Sequence, residues 1–483
     1  MKWFLALLLI SSQVLAKTYD LEVTKSGTKL FINHSIPGPT LVFKEGDDAE
    51  IRVKNSTDET TSIHWHGLLL PGNMDGVPGL NGFHGINPNE TFTYKFKIRQ
   101  AGTYWYHSHS NFQEQQGMYG ALIINPKKEI QQFDREYVLV LSDATKEDPK
   151  TILNNLKIDS GYYNYNKRTI FTFFADVKKD GFFDTLSDYL HWGEMRMDPT
   201  DLSDVTNYDF LINGQKNWSA IFKKGEKVKL RFINAAAMTI YDVSIPGLKM
   251  KFIEADGQPI KPILADEFRI GVAETYDVII EPKDNKTYTI FAESLDRTGY
   301  ATAILFSKKE RVGKIPQMRP RSQLTMADMH EGMGESGWSN RGTPEGNKAL
   351  EYSDLVAFMP QKDLREPMRE IEFRFGGSMN RYIWTINGEK FPKPVLLKFG
   401  ERVRLKFINE TMMAHPIHLH GMFMQLENGQ KMQSMPNKHT VIIPPAQTVS
   451  LFLTADEEGD WAFHCHLLYH MASGMMTSVT VKK

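Results

Sequence analysis

The 483-residue chain predicts an all-β fold built as three tandem β-sandwich domains. Three observations carry that prediction. One strand-forming motif occurs three times, short alternating apolar and polar runs fill the intervals between its copies, and Gly, Pro and Asn punctuate those runs throughout. Such punctuation argues for sandwiches rather than a barrel with helices.

The first residues, MKWFLALLLISSQVLA, join a positive Lys2 to an apolar run that ends with Val14 and Ala16. This is the pattern of an export leader, expected to be cleaved after Ala16. The alternative, a membrane anchor, is disfavoured because a bilayer span needs ~20 residues. No later stretch is apolar enough to insert into a membrane.

Residues 17–150 are expected to form the first domain, 151–306 the second and 351–483 the third. The repeated motif reads SIPGPTLVFKEGDDAEIRVKN from Ser35, INGQKNWSAIFKKGEKVKLRFIN from Ile212 and INGEKFPKPVLLKFGERVRLKFIN from Ile386. Each copy passes a turn glycine (Gly46, Gly225, Gly400) and then alternates with period two, as a half-buried strand does, up to a closing Asn. Residues 307–350 lack strand periodicity and are rich in Gly, Pro, Met and charge, so they read as a flexible linker. The aromatic stretch from Thr151 to Asp204 is less regular and reads as an elaboration of the second domain.

With 57 Lys and Arg against 58 Asp and Glu, the chain has no broad attraction for nucleic acid or for anionic membranes. Its single cysteine, Cys465, excludes an intramolecular disulfide. Six Asn-x-Ser/Thr sequons, at Asn33, Asn55, Asn89, Asn217, Asn285 and Asn409, would matter only in a eukaryotic secretory pathway.

Ten of the 15 histidines fall in four clusters: HWHG (His64, His66), HSH (His107, His109), HPIHLHG (His415, His418, His420) and HCHLLYH (His464, His466, His470). One histidine alone is more often a hydrogen-bonded structural residue than a ligand. Four pairs at the same spacing are different, because residues i and i+2 of a strand share a face and deliver two imidazoles to one place. By the same geometry Cys465 points away from its neighbours His464 and His466, so one tripeptide can serve two sites. Two imidazoles, a thiolate and a weak thioether, here His415, His470, Cys465 and Met475, make a blue-copper ligand set. Zinc also takes Cys and His, but structural zinc usually recruits more than one Cys, and the paired histidines would be left unexplained. Those pairs come from both ends of the chain, so the first and third domains must face each other for them to meet.

On these motifs, with ETTSIHWHGLLLPGNMDGVPG, GTYWYHSHSNFQEQ, MRMDPTDLSDVT and LTMADMHEGM, the chain resembles the multicopper oxidases. These are laccase-like enzymes of three Greek-key cupredoxin domains, and the match is closest to bacterial copper-resistance oxidases of the CopA/PcoA type. The resemblance implies four coppers per chain and a periplasmic monomer. It places type 1 copper at His415, Cys465, His470 and Met475, and type 2 at His64 and His418. It divides the type 3 pair between His66, His107 and His466 on one ion and His109, His420 and His464 on the other. The implied reaction takes single electrons from Cu(I) or small aromatic reductants and reduces dioxygen to water.

Water formation needs protons. Asp75 matches the acid that relays them in the family, with an Asx-turn role before Gly76 as the alternative. Relatives often carry a second acid just after the type 1 histidine, where this chain has Met471. Glu114 is the candidate substitute, against the plainer reading of a solvated surface glutamate. Among the 23 methionines, Met326, Met329 and Met333 with His330 form MADMHEGM in the linker, a soft set suited to substrate Cu(I). Met412, Met413, Met422, Met424, Met432 and Met435 crowd the type 1 segment, where copper handling and core packing are both open. Two functional classes follow: a cuprous oxidase with laccase-like activity, and a copper-sequestering protein whose turnover is incidental. A copper-free structural scaffold is argued against by the complete ligand set.

Overall fold

The computed structural model describes residues 16–165, 167, 169–194, 201–307, 313–321, 338 and 341–483. The leader, apart from Ala16, and the Met326, Met329, His330 and Met333 group lie outside the described residues.

The fold is mostly β, as the alternating runs predict, and its strands form six sheets in three pairs. Every pair contains the same device. A strand runs parallel to the last strand of the repeated motif: Lys17–Ser26 beside Asp48–Asn55, Arg135–Ala144 beside Val228–Asn234, and Arg369–Ser378 beside Arg402–Asn409. The closing Asn does the same work each time. Asn55, Asn234 and Asn409 are buried, and each donates its side-chain amide to at least two backbone carbonyls of later segments, among them Ile86, Ile270 and Ile443. Buried polar groups need such partners, which is why the motif ends on the same residue type in every copy. Asn55 and Asn409, both sequon positions, have their amides committed to the interior.

Three apolar cores follow the three pairs of sheets. The third is the largest and runs on into the second unit through Ala235, Met238 and Ile240. Met412, Met413, Met422 and Met424 belong to it and are buried, so core packing accounts for these four.

The structure corrects the sequence reading in three places. Strand Arg135–Ala144 was expected within residues 17–150 but pairs with strands of the second unit, so that unit begins before residue 151. The stretch after it, read from sequence only as a less regular elaboration in an all-β chain, carries three α-helices among the described residues, Pro149–Ile158, Ile170–Asp180 and Phe182–Glu194. The first starts with Pro149 after an Asp148 cap and buries Ile152, Leu153 and Leu156.

The described part of residues 307–350 is fastened down rather than flexible. Arg319 donates to Glu293, Trp338 lies under the Arg269 guanidinium at 4.3 Å, and Ala349–Leu350 adds a strand beside Glu267–Ile270. Charged anchors buried on the second unit, which local periodicity does not register, hold this stretch.

Candidate metal centre

Strand pairing brings the histidine clusters together. In the first unit His64–His66 pairs antiparallel with Gly102–His107, setting His64 opposite His107. In the third, His415–Leu419 pairs with Gly459–Cys465, setting His418 opposite His464 and Ile417 opposite Cys465. The two sets then face each other between the first and third units. His420 and His64 stack at 3.7 Å between ring centroids, and His418 and His66 at 3.8 Å.

The ring nitrogens at the centre of this assembly face no protein donor or acceptor of the ordinary kind. His109 Nε2 and His420 Nε2 lie 3.3 and 3.2 Å from His464 Nε2. His64 Nε2, His66 Nδ1, His107 Nε2, His418 Nε2 and His466 Nε2 are buried without a partner among the described residues. Leaving one such group unsatisfied costs ~1–3 kcal/mol, so a cluster of them fits a metal site and not a structural network. Burial, helped by the neighbouring imidazoles, also lowers His66, His107, His109, His418, His420 and His466 well below the ordinary value, and His464 to about 4. They are therefore neutral, the form that binds metal.

The outward nitrogens are held. His64 Nδ1 donates to the Asp75 carbonyl (2.8 Å), and His420 Nδ1 to the Asp75 carboxylate (2.9 Å). His464 Nδ1 donates to the Cys465 carbonyl (3.0 Å), and His418 Nδ1 to the His439 carbonyl (2.7 Å). His66 Nε2 reaches the Thr440 hydroxyl at 3.3 Å. Fixing the rear nitrogen selects the tautomer and aims the other nitrogen inward.

Glu114 departs from the surface reading. It is buried, with Oε2 3.0 Å from His107 Nδ1 and Oε1 3.8 Å from His466 Nδ1. Burial, with Asp143 adding to it, pushes its carboxyl well above the usual range. Asp75 is buried too, and its side chain bridges His64 and His420. Its carboxyl is thus engaged with imidazoles and not only with the turn at Gly76.

Cys465 turns to the other side of its strand, as period two requires. Its Sγ lies 3.6 Å from His415 Nδ1 and 3.8 Å from His470 Nδ1, which are 3.1 Å apart. Met475 is buried and joined to the same loop, its carbonyl accepting from the Cys465 N–H and its N–H donating to the His470 carbonyl. Burial raises the thiol far above its ordinary value, so a thiolate forms here only beside a cation. His415 Nε2 donates to the Thr411 hydroxyl (2.7 Å), and His470 Nε2 to Asp204 (2.6 Å), which also accepts from Tyr382 OH (2.7 Å). Trp384 stacks on His470 at 3.9 Å.

Asp204, Thr411 and Thr440 were missed by the sequence reading. Asp204 reaches His470 across more than half the chain from the end of the helical stretch, and nothing in its local spacing marks it. A cavity of about 10 Å³ lies beside it, lined by Asp204, Met238, Asp296 and Met413 among others. No helix among the described residues is long and apolar enough to cross a membrane.

Comparison with known proteins matches three multicopper oxidase family models, to residues 14–129, 135–310 and 365–483. The chain is 44% identical to copper resistance protein A of Escherichia coli, over 94% of this chain and 89% of that protein. It is also 44% identical to a copper resistance protein A homolog of Pseudomonas syringae pv. tomato, again over 94% and 89%. Among solved structures it superposes on the laccase of Botrytis aclada with a TM-score of 0.74 at 22% identity, covering 96% of this chain and 87% of that one.

Proposed function

The chain belongs to the multicopper oxidases, and on that premise we propose that it oxidises Cu(I), and phenolic or diamine donors, one electron at a time while reducing dioxygen to water. We place this activity in the periplasm, where it contributes to copper tolerance. One observation carries the reading: buried ring nitrogens from both ends of the chain converge at one place, next to a cysteine aimed at a second place.

His415, Cys465, His470 and Met475 would hold the type 1 copper, and His64 with His418 the type 2. His66, His107 and His466 would hold one type 3 ion, and His109, His420 and His464 the other. When bound, the four coppers supply single-electron acceptance on the sulfur side and four-electron reduction of dioxygen on the imidazole side.

The polypeptide supplies the rest. The backbone on either side of Cys465 links its sulfur directly to His464 and His466, a covalent route between the two sites. Burial of every ligand except His109, which is partly exposed, keeps bulk water out. Glu114, protonated by burial, holds a proton beside His107 and His466, and Asp75 offers a carboxylate beside His64 and His420, so protons can be delivered from two sides. In this reading Glu114 takes the role of the second acid, whose usual position in relatives is Met471 here.

For the donor, the 44% identity to two copper resistance proteins supports Cu(I). Oxygen uptake with Cu(I), a phenol and a diamine as separate donors tests the reading. Fastest consumption with Cu(I) is expected. Copper-loaded protein that consumes no oxygen with any donor would contradict it and leave a sequestering role.

A further inference from the structure

Among the described residues the second unit supplies none of the converging imidazoles, yet its Asp256 holds the backbone of a third-unit residue, Thr440, whose hydroxyl touches them. Thr440 is fully buried on strand Thr440–Ile443, in register with His418. Its Oγ1 lies 3.3 Å from His66 Nε2, 3.2 Å from His418 Nδ1 and 3.0 Å from His439 Nδ1. A hydroxyl has one donor and two acceptor positions. The consistent assignment has His66 donating to Oγ1, His418 donating mainly to the His439 carbonyl while grazing Oγ1, and the hydroxyl donating to His439 Nδ1. That arrangement puts the proton of His66 on Nε2 and leaves Nδ1, its partnerless inward nitrogen, free as a ligand atom.

The backbone that carries the hydroxyl is held from the second unit. Asp256 Oδ2 accepts from the backbone N–H of His439 (3.2 Å) and of Thr440 (3.1 Å), and from Lys438 Nζ (3.1 Å). Its Oδ1 accepts from the Thr275 N–H at 3.1 Å. Gly67, the residue after His66, completes the fit: its φ is +80°, and a Cβ there would come within 2.5 Å of the His439 ring. The imidazole of His439 is thus seated against the backbone that carries His66.

We propose that Thr440 is a positioning residue for the copper cluster, fixing the tautomer of His66 and its orientation relative to His418, with Asp256 of the second unit holding it in place. His66 comes from the first unit and His418 from the third, so this contact makes the cluster's geometry depend on all three. The inference rests on the copper assignment above.

The test compares wild type, Thr440→Val and Thr440→Ser. The readouts are copper retained per chain after dialysis against a chelator, the type 2 copper electron paramagnetic resonance spectrum, and melting of the metal-free proteins as a check on folding. Thr440→Val is expected to weaken copper retention by roughly 10- to 100-fold, the usual effect of removing a partner behind a metal ligand, and to alter the spectrum. Thr440→Ser, which keeps the hydroxyl, is expected to match wild type. A Val variant indistinguishable from wild type, or a Ser variant as impaired as Val, would overturn the proposal. Should Val fail to fold, Thr440→Ala is judged by the same two outcomes. Failure of the copper assignment itself would be visible separately, as wild-type protein that retains no cluster copper.

Discussion

Single side chains divide the labour between the two sites, and their substitution should separate the sites. Cys465 is buried with its sulfur turned to His415 and His470 and its neighbours turned the other way. Cys465→Ser should therefore abolish the intense thiolate-to-copper absorption and donor oxidation while the imidazole cluster still takes up copper. A mutant that keeps the absorption would contradict the ligand assignment. Glu114 lies against two imidazoles, and burial, with Asp143 adding to it, favours its protonated form. Glu114→Gln keeps the shape and loses the proton, so kcat for oxygen consumption should fall on the order of 10²-fold at unchanged copper content. An unchanged kcat would return Glu114 to a purely structural role. These residues differ in how far the sequence exposed them. The His-x-His pairs were legible because strand periodicity is local. Asp204 and Thr440 were not, because an ordinary Asp and Thr gain their meaning only from contacts hundreds of residues away.

Elements set where those side chains stand, and two of them can be tested directly. The turn Gly72–Met74 delivers Asp75 to the cluster, and Gly76 follows it with φ +83°. A Cβ at Gly76 would lie 1.8 Å from the carbonyl oxygen of Ile63, the residue before His64. Gly76→Ala must therefore displace that backbone. It should lower the melting temperature and cluster copper together while sparing the thiolate absorption of the sulfur site, and a variant with full cluster copper would show that the approach is not tight.

The linker tells a second story. Arg269 and Arg297 both grip Asp242 on the second unit, Trp338 lies on Arg269, and Arg297 also donates to the Arg341 carbonyl. Burial pushes the Asp242 carboxyl up, but the guanidiniums of Arg269 and Arg297 outweigh it and hold the group far below its ordinary value near 3.8. A depressed carboxyl stabilises the fold above its unfolded pKa, and that stability is lost as pH falls through and below that value. Asp242→Asn should cost about 3–5 kcal/mol at neutral pH, since it strands buried cations. It should also flatten the acid limb of the stability curve below about pH 4, and denaturant titrations at several pH values will show whether it does. Composition hid all of this, because a stretch rich in Gly, Pro and charge looks mobile until its buried partners are known.

At the scale of the whole molecule, the fold class and the meeting of the first and third units were legible, while the start of the second unit was not. Its first strand, Arg135–Ala144, follows the first unit directly and declares its membership only by pairing with Val228–Asn234, far along the chain. Three sandwiches joined in this way can bury imidazoles from residues 66 and 466 in one seam, which no single sandwich could do. The central claim is that this seam and the adjoining sulfur site together bind four coppers. Metal analysis of copper-reconstituted protein, read beside its absorption and electron paramagnetic resonance spectra, is the most direct test. Four coppers per chain are expected, one of them giving the thiolate absorption and one a type 2 signal. A stable, folded protein holding no more than one copper would contradict it.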